Sequence, residues 1–130
     1  MCLLKKYLLI LALLTFNASY SFAGEDCLKI IGNKLENGKA ASLAAHFDDR
    51  VSLIIPGSHS SCSHAQASLI IKDFFTKNKP QSLVIEHAGN NEKVEFAIGK
   101  LKTDKGSYRV YVQYKKAGDD CIIKELRLEK

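Results

Sequence analysis

Three residues that can bind metals or act as nucleophiles, His59, Cys62 and His64, lie within six consecutive positions. Imidazole nitrogen and thiolate sulfur suit zinc or copper, and a thiol near a helix start with a histidine beside it could act as a nucleophile. The stretch lacks a fourth ligand and the ligand spacings of familiar zinc sites. Ser63 and Gln66 instead match a capping box, so we interpret the stretch as a serine loop leading into a helix. We expect no metal, no cofactor and no catalytic residue here.

A second set of polar side chains alternates with apolar ones along the C-terminal third of the chain. Opposite charges on neighbouring strands stabilise a sheet by only about 0.2–1 kcal/mol per pair, which fits a solvated face. Tyrosine and arginine are also favoured in protein interfaces. A solvated face with cross-strand pairs is the first interpretation. The functional prediction is that Arg109, Tyr111 and Arg127 form an interaction surface for a protein partner or a second copy.

The first 23 residues are typical of a cleaved export signal. Lys5 and Lys6 precede the apolar stretch 7–16, which is short for a membrane span, and Ser21 and Ala23 flank Phe22 as a small-x-small cleavage site. We predict a signal peptide over 1–23, a single domain over 24–130, and a periplasmic or secreted location without membrane attachment. The intact mass of the exported protein tests this prediction.

Charge and cysteine content narrow the classes of partner. Removing Lys5 and Lys6 lowers the formal charge from +5 to +3, and the remaining basic residues alternate with acidic ones, so we do not expect nucleic acid as a partner. Three cysteines remain after cleavage: Cys27, Cys62 and Cys121. They allow one intrachain disulfide in any of three pairings, or three free thiols.

Helical periodicity appears in three segments of the N-terminal half. The first covers 25–35 and ends at Asn37-Gly38. The second is short and runs from 40 to 47, with a turn over Asp48-Asp49-Arg50. The third begins at the capping box and ends before Pro80, and its apolar face consists of Ala67, Leu69, Ile70, Ile71, Phe74 and Phe75.

Alternation of apolar and polar residues predicts strands over 51–55, 82–87, 94–101, 108–114 and 125–128. In the third of these, Val94, Phe96 and Ile98 share a face, and a bulge at Gly99 lets Leu101 continue it. The predicted order is α-α-β-α-β-β-β-β. It corresponds to an α+β fold in which three N-terminal helices pack on a curved, mostly antiparallel sheet.

This order resembles the nuclear transport factor 2-like superfamily of cone-shaped domains, which includes the ketosteroid isomerases. Four stretches are also similar to a family of small exported bacterial domains of unknown function: 43–57, 63–80, 96–116 and 123–130. The resemblance implies a cone whose interior binds a small ligand or is packed shut. It assigns no reaction, because folds of this kind host many functions.

In such a cone we expect Tyr108, Tyr114 and Phe96 to contact a small ligand. An isomerase-like site would need a carboxylate in an apolar cavity and donors to a developing oxyanion, for which His46 with Asp48 and Asp49, assisted by a tyrosine, are the candidates. These acids also fit a solvated helix end. The prediction is therefore an exported, non-catalytic domain that binds a small ligand in the cone or a protein on the sheet, with an isomerase or hydrolase as the alternative.

Overall fold

The computed structural model describes residues 27–91 and 93–130, with His59 described only in its backbone. The predicted signal peptide and cleavage site lie outside these residues. Three helices and six strands follow one another along the chain: α1 (Cys27–Glu36), α2 (Ala40–Ala44), β1 (Phe47–Ile55), β2 (Ser58–Ser63), α3 (His64–Lys77), β3 (Pro80–Asn90), β4 (Glu95–Thr103), β5 (Gly106–Ala117) and β6 (Asp120–Glu129).

The six strands form one curved sheet in the order β2-β1-β6-β5-β4-β3. Every neighbouring pair is antiparallel except β1 and β6, which run parallel, with Leu53 opposite Leu126. β6, the last strand in the chain, therefore lies inside the sheet, between β1 and β5. The α+β class and the mostly antiparallel sheet agree with the prediction.

The predicted element order is wrong at one point. Residues 58–63, predicted as a loop, form strand β2, so two strands precede α3 and only two helices are N-terminal to the sheet. Serine and histidine have little intrinsic preference for strands, but β2 satisfies the backbone of the neighbouring edge of β1. Cys62 also pairs with Val51 and buries its side chain in the core.

The predicted turn over Asp48-Asp49-Arg50 is also wrong, because these residues belong to β1. Phe47 pairs with Ile123 across the parallel junction, and the backbone N–H of Ile123 donates to the carbonyl of His46 at 2.7 Å. This pairing draws the chain into the sheet from Phe47 onwards.

All three helices cover one face of the sheet. α1 packs on β3 and β4, α3 packs on β1 and β2, and α2 contacts both other helices. The core between the helices and the sheet draws on every helix and on every strand except β3, from which only the partly buried Leu83 packs against it. Its large apolar residues include Ile31, Leu35, Leu43, Val51, Leu53, Ile71, Phe74, Leu101, Val110, Val112, Ile123, Leu126 and Leu128. Leu69, predicted on the apolar face of α3, is instead 70% exposed.

Helix ends in the structure follow the local sequence signals. The Ser63 hydroxyl accepts from the Gln66 backbone N–H at 3.2 Å and the Gln66 side chain accepts from the Ser63 N–H at 3.2 Å, which confirms the predicted capping box. α1 ends in a Schellman motif, in which Lys39 N–H donates to the Lys34 carbonyl and Gly38 N–H to the Leu35 carbonyl. Gly38 has φ +62° and contacts Pro80, so this corner needs glycine.

A disulfide joins Cys27, the first residue of α1, to Cys121 in β6. Cys62 is a free, buried thiol. The structure thus selects one of the three pairings that the sequence left open.

Candidate functional site

The face of the sheet opposite the helices is the surface on which the predicted interaction residues meet. The registers place Arg127 opposite both Ile54 of β1 and Tyr111 of β5, and Tyr111 opposite Ile98 of β4. Because side chains alternate between the faces of a strand, these residues share the face that points away from the buried core. We refer to it as the open face.

An aromatic–arginine cluster, consisting of Phe96, Tyr111 and Arg127, occupies the middle of the open face. The rings of Phe96 and Tyr111 are stacked with centroids 6.3 Å apart and planes 20° from parallel. The Arg127 guanidinium carbon lies 5.3 Å from the centroid of the Tyr111 ring, a cation–π geometry. Each side chain thus restricts its neighbour, so the cluster presents a preformed surface.

Arg127 is incompletely satisfied within this cluster. Its Nη2 donates to Glu125 Oε1 at 3.2 Å. Its Nε is buried from solvent and has no hydrogen-bond partner in the described part of the chain. A buried donor without an acceptor is destabilising.

A groove of about 170 Å³ lies beside the cluster. It is lined by Ile98, Arg109, Tyr111, Arg127 and Glu129. All three predicted interaction residues therefore line one groove. Their role in binding stays a prediction.

The predicted ligand-binding residues do not share a face. Tyr108 and Tyr114 are 4% and 3% exposed and belong to the core on the helix side, whereas Phe96 lies on the open face against Tyr111. The predicted face shared by Phe96, Ile98 and Leu101 is wrong because β4 alternates without interruption, with Ala97, Gly99 and Leu101 buried between the outward-facing residues. A ligand-binding role for the three residues stays a prediction.

The irregularity predicted at Gly99 lies on the partner strand. β4 pairs with β5 in continuous register, while β3 shifts register between Ile85 and His87, opposite Gly99 and Ile98. A Cβ on Gly99 would lie 2.5 Å from the Val84 carbonyl oxygen. The glycine is therefore explained by the close approach of the bulged β3 backbone.

Tyr108 is held in the core by neighbours within the chain. Its hydroxyl donates to Asn78 Oδ1 at 2.8 Å, and its ring meets Phe74 edge-on at a centroid distance of 5.1 Å. The Asn78 amide group in turn donates to the Phe74 carbonyl. This hydroxyl is therefore occupied by a bond that closes the end of α3.

The His46 and Asp48 candidates are engaged in separate contacts. His46 Nδ1 lies 2.9 Å from the Cys121 carbonyl, and Lys34 Nζ donates to His46 Nε2. Asp48 Oδ2 accepts from Lys124 Nζ at 2.6 Å. This hydrogen bond, followed by one from the Asp49 backbone, holds the pKa of Asp48 below its ordinary value of 3.8. Asp48 thus remains ionised and paired at neutral pH.

The opening histidine–cysteine stretch is built into β2 and the start of α3. Cys62 Sγ lies 3.0 Å from the Ser60 hydroxyl, and His64 Nδ1 donates to the Phe47 carbonyl at 2.9 Å. Among the described residues, no three His, Cys, Asp or Glu side chains form a group that could hold a metal ion. The His59 side chain is outside the described part of the chain, so its role stays a prediction.

No helix in the described ranges is both long and apolar enough to cross a membrane.

Comparison with sequence families and solved structures identifies relatives of this arrangement. The profile of a family described as "Domain of unknown function (DUF4783)" matches residues 28–129. No functionally curated protein is significantly similar to the chain.

Two solved DUF4783 proteins have the same fold. The protein from Bacteroides ovatus is 28% identical, with a TM-score of 0.72 over 78% of this chain and 92% of that one. The protein from Bacteroides uniformis is 25% identical, with a TM-score of 0.72 over 78% of this chain and 94% of that one.

A more distant structure gives the wider fold class. An NTF2-like protein of unknown function from Cytophaga hutchinsonii is 11% identical, with a TM-score of 0.56 over 79% of this chain and 85% of that one. The predicted resemblance to the nuclear transport factor 2-like superfamily is confirmed at the level of the fold.

Proposed function

Because the chain belongs to the DUF4783 family of domains of unknown function, its role must be argued from its surfaces, and we propose that it is a non-catalytic binding domain that pairs through its open face with a second copy of itself. The observation that carries this proposal is the aromatic–arginine cluster on the outward side of the sheet.

The chemistry of the cluster supports protein binding. Tyrosine, phenylalanine and arginine are the residue types enriched in protein interfaces, and Trp, Tyr and Arg provide most binding hot spots. Stacking within the cluster fixes the side chains before binding, which lowers the entropy lost on association.

The charges of the open face favour a second copy as the partner. A twofold interface brings the same surface patch together from both subunits, so that patch must complement itself. The groove beside the cluster is lined by Arg109 and Arg127 and by Glu129, which lies opposite Arg109, and Glu125 is bonded to Arg127. A patch with both signs can pair with its own copy after a half-turn.

The helix side of the sheet offers less support for a ligand-binding cone. Tyr108, the strongest candidate donor, is buried and already bonded to Asn78, and large apolar side chains fill the layer between helices and sheet.

Export remains part of the proposal. The Cys27–Cys121 disulfide supports it, since such bonds persist mainly in oxidising compartments.

Sedimentation velocity of the mature chain tests the pairing. We expect a dimer for the wild type between micromolar and millimolar concentrations. Arg127→Glu should give a monomer, because it removes the cation over Tyr111 and sets a second acid beside Glu125. Lys72→Glu, on the exposed side of α3, is the matched charge reversal and should leave the dimer intact.

A wild-type chain that stays monomeric over this range would contradict the proposal. Equal dissociation by Arg127→Glu and Lys72→Glu would contradict it too, because the effect would then follow net charge. Thermal melts of both variants establish that each one is folded.

A further inference from the structure

A basic groove of about 590 Å³ lies at the end of the sheet next to the β3–β4 connection. Four lysines line it: Lys93, Lys115, Lys116 and Lys124. None of them lines the small groove beside the aromatic–arginine cluster. This second concave surface is therefore separate from the one proposed to pair two copies.

The strands bring together lysines that are far apart in the sequence. Lys115 and Lys116 lie at the end of β5, where β5 pairs with the start of β6. Gln113 pairs with Glu125 and the next residue, Tyr114, pairs with Ile123, so Lys124 is the extra residue of a bulge. A bulge redirects a side chain, and here Lys124 joins the lysines of β5.

Among the residues that the structure describes, the lysines lining the groove outnumber the acids that face it. Among the described residues the acids are Glu95 in the lining and Asp48, which pairs with Lys124 at 2.6 Å. Lys115 and Lys116 form no ion pair with a described acid. The hydrogen bond from Lys124 chiefly lowers the pKa of Asp48, and the charge of Lys115 adds to this effect. Lys115 and Lys124 are therefore both close enough to Asp48 to stabilise its charged form.

We propose that this groove binds a phosphate-bearing anion, such as a phosphorylated sugar, either free or as a lipid headgroup. The cations lining it are all lysines, and lysine binds phosphate as a point charge, whereas planar carboxylates are better matched by the bidentate fork of arginine. The volume is in the range of small-molecule sites, so the groove has room for more than the phosphate itself.

Other polar groups in the lining indicate which chemical groups the ligand carries besides its phosphate. Asn91 Oδ1 accepts from the backbone N–H groups of Lys93 and Val94, both at 3.1 Å, which leaves its amide nitrogen as a neutral donor. The Glu95 carboxylate repels a second phosphate but accepts from a hydroxyl. A phosphate next to hydroxyl groups fits this combination better than an extended polyanion.

The test compares two double variants of the mature chain. Lys115→Gln with Lys116→Gln removes two charges from the groove, and Lys29→Gln with Lys72→Gln removes two from exposed positions on α1 and α3. Calorimetric titration with glucose 6-phosphate, which carries one phosphate next to hydroxyl groups, probes a free ligand. Co-sedimentation with phosphatidylcholine vesicles, with and without phosphatidylglycerol, probes a headgroup.

We expect saturable binding in at least one arm, weakened about tenfold or more by the groove variant and unchanged in the control. The arm that responds identifies the source of the phosphate. Absence of binding in both arms, or equal weakening by the two double variants, would refute the proposal. Sedimentation of the groove variant separates the two proposals, since loss of anion binding should leave the dimer unchanged.

Discussion

At the scale of single residues, two glycines differ in whether the structure has room for a Cβ atom at their position. Gly99 lies under the bulged backbone of β3, where a Cβ would meet a carbonyl oxygen at 2.5 Å. Gly32 lies inside α1, where a Cβ would find its nearest neighbour, a methyl group of Leu83, at 3.6 Å. The same added methyl group should therefore have opposite effects at the two positions.

We predict that Gly99→Ala lowers the free energy of unfolding by about 1–3 kcal/mol, because backbone atoms must move to admit the methyl group. Gly32→Ala should raise it by about 0.5–1 kcal/mol, because alanine loses less conformational entropy in a helix. Urea unfolding at unchanged m-value measures both. Shifts of the same sign would show that the packing around one glycine is described incorrectly.

At the scale of elements, the start of α3 depends on the reciprocal bonds between Ser63 and Gln66. Ser63→Ala should lower the free energy of unfolding by about 0.5–2 kcal/mol, because it leaves an amide of the first turn without its acceptor. Ser61, at an exposed position of β2, provides the matched control. Ser61→Ala should change the free energy of unfolding by no more than about 0.5 kcal/mol. If both serines had the same small effect in urea denaturation, the cap would not contribute to stability.

This cap could be predicted from sequence because its two partners are three residues apart. Strand β2 could not be predicted in this way. Ser58 to Ser63 becomes a strand through pairing with β1, a tertiary contact that overrides local preference. Phe96 was assigned to the wrong face for a related reason. The sequence reveals an irregularity near Gly99, but the bulge is on β3, which only the register identifies.

The two candidate surfaces, the open face and the basic groove, also differ in how far they could be predicted from sequence. Arg109, Tyr111 and Arg127 could be predicted from alternation along β5 and β6, and the registers place them together. The basic groove could not be predicted, because Lys93 lies more than twenty residues from Lys115 and the β6 bulge that adds Lys124 has no local sequence signature. Basic and acidic residues alternate along the chain, so the sequence does not show that several lysines come together in the fold.

At the scale of the whole molecule, the Cys27–Cys121 disulfide closes a loop between residues 94 positions apart. Replacing both cysteines by alanine should lower the free energy of unfolding by about 2–5 kcal/mol, because it lets the unfolded chain expand. Urea denaturation of this variant and of the reduced wild type measures the loss. In the oxidised mature chain, thiol titration after denaturation should detect only Cys62, and three reactive thiols would contradict the pairing.

The interior position of β6 has a consequence for the order of events during synthesis. β1 and β2 can associate early, but β1 finds its parallel neighbour only after the ribosome has added about seventy further residues. Such non-local pairing gives a high contact order and slow folding. A nascent chain therefore carries an incomplete sheet until β6 emerges, and during that interval it remains available to a chaperone or a translocation channel that accepts only unfolded chains.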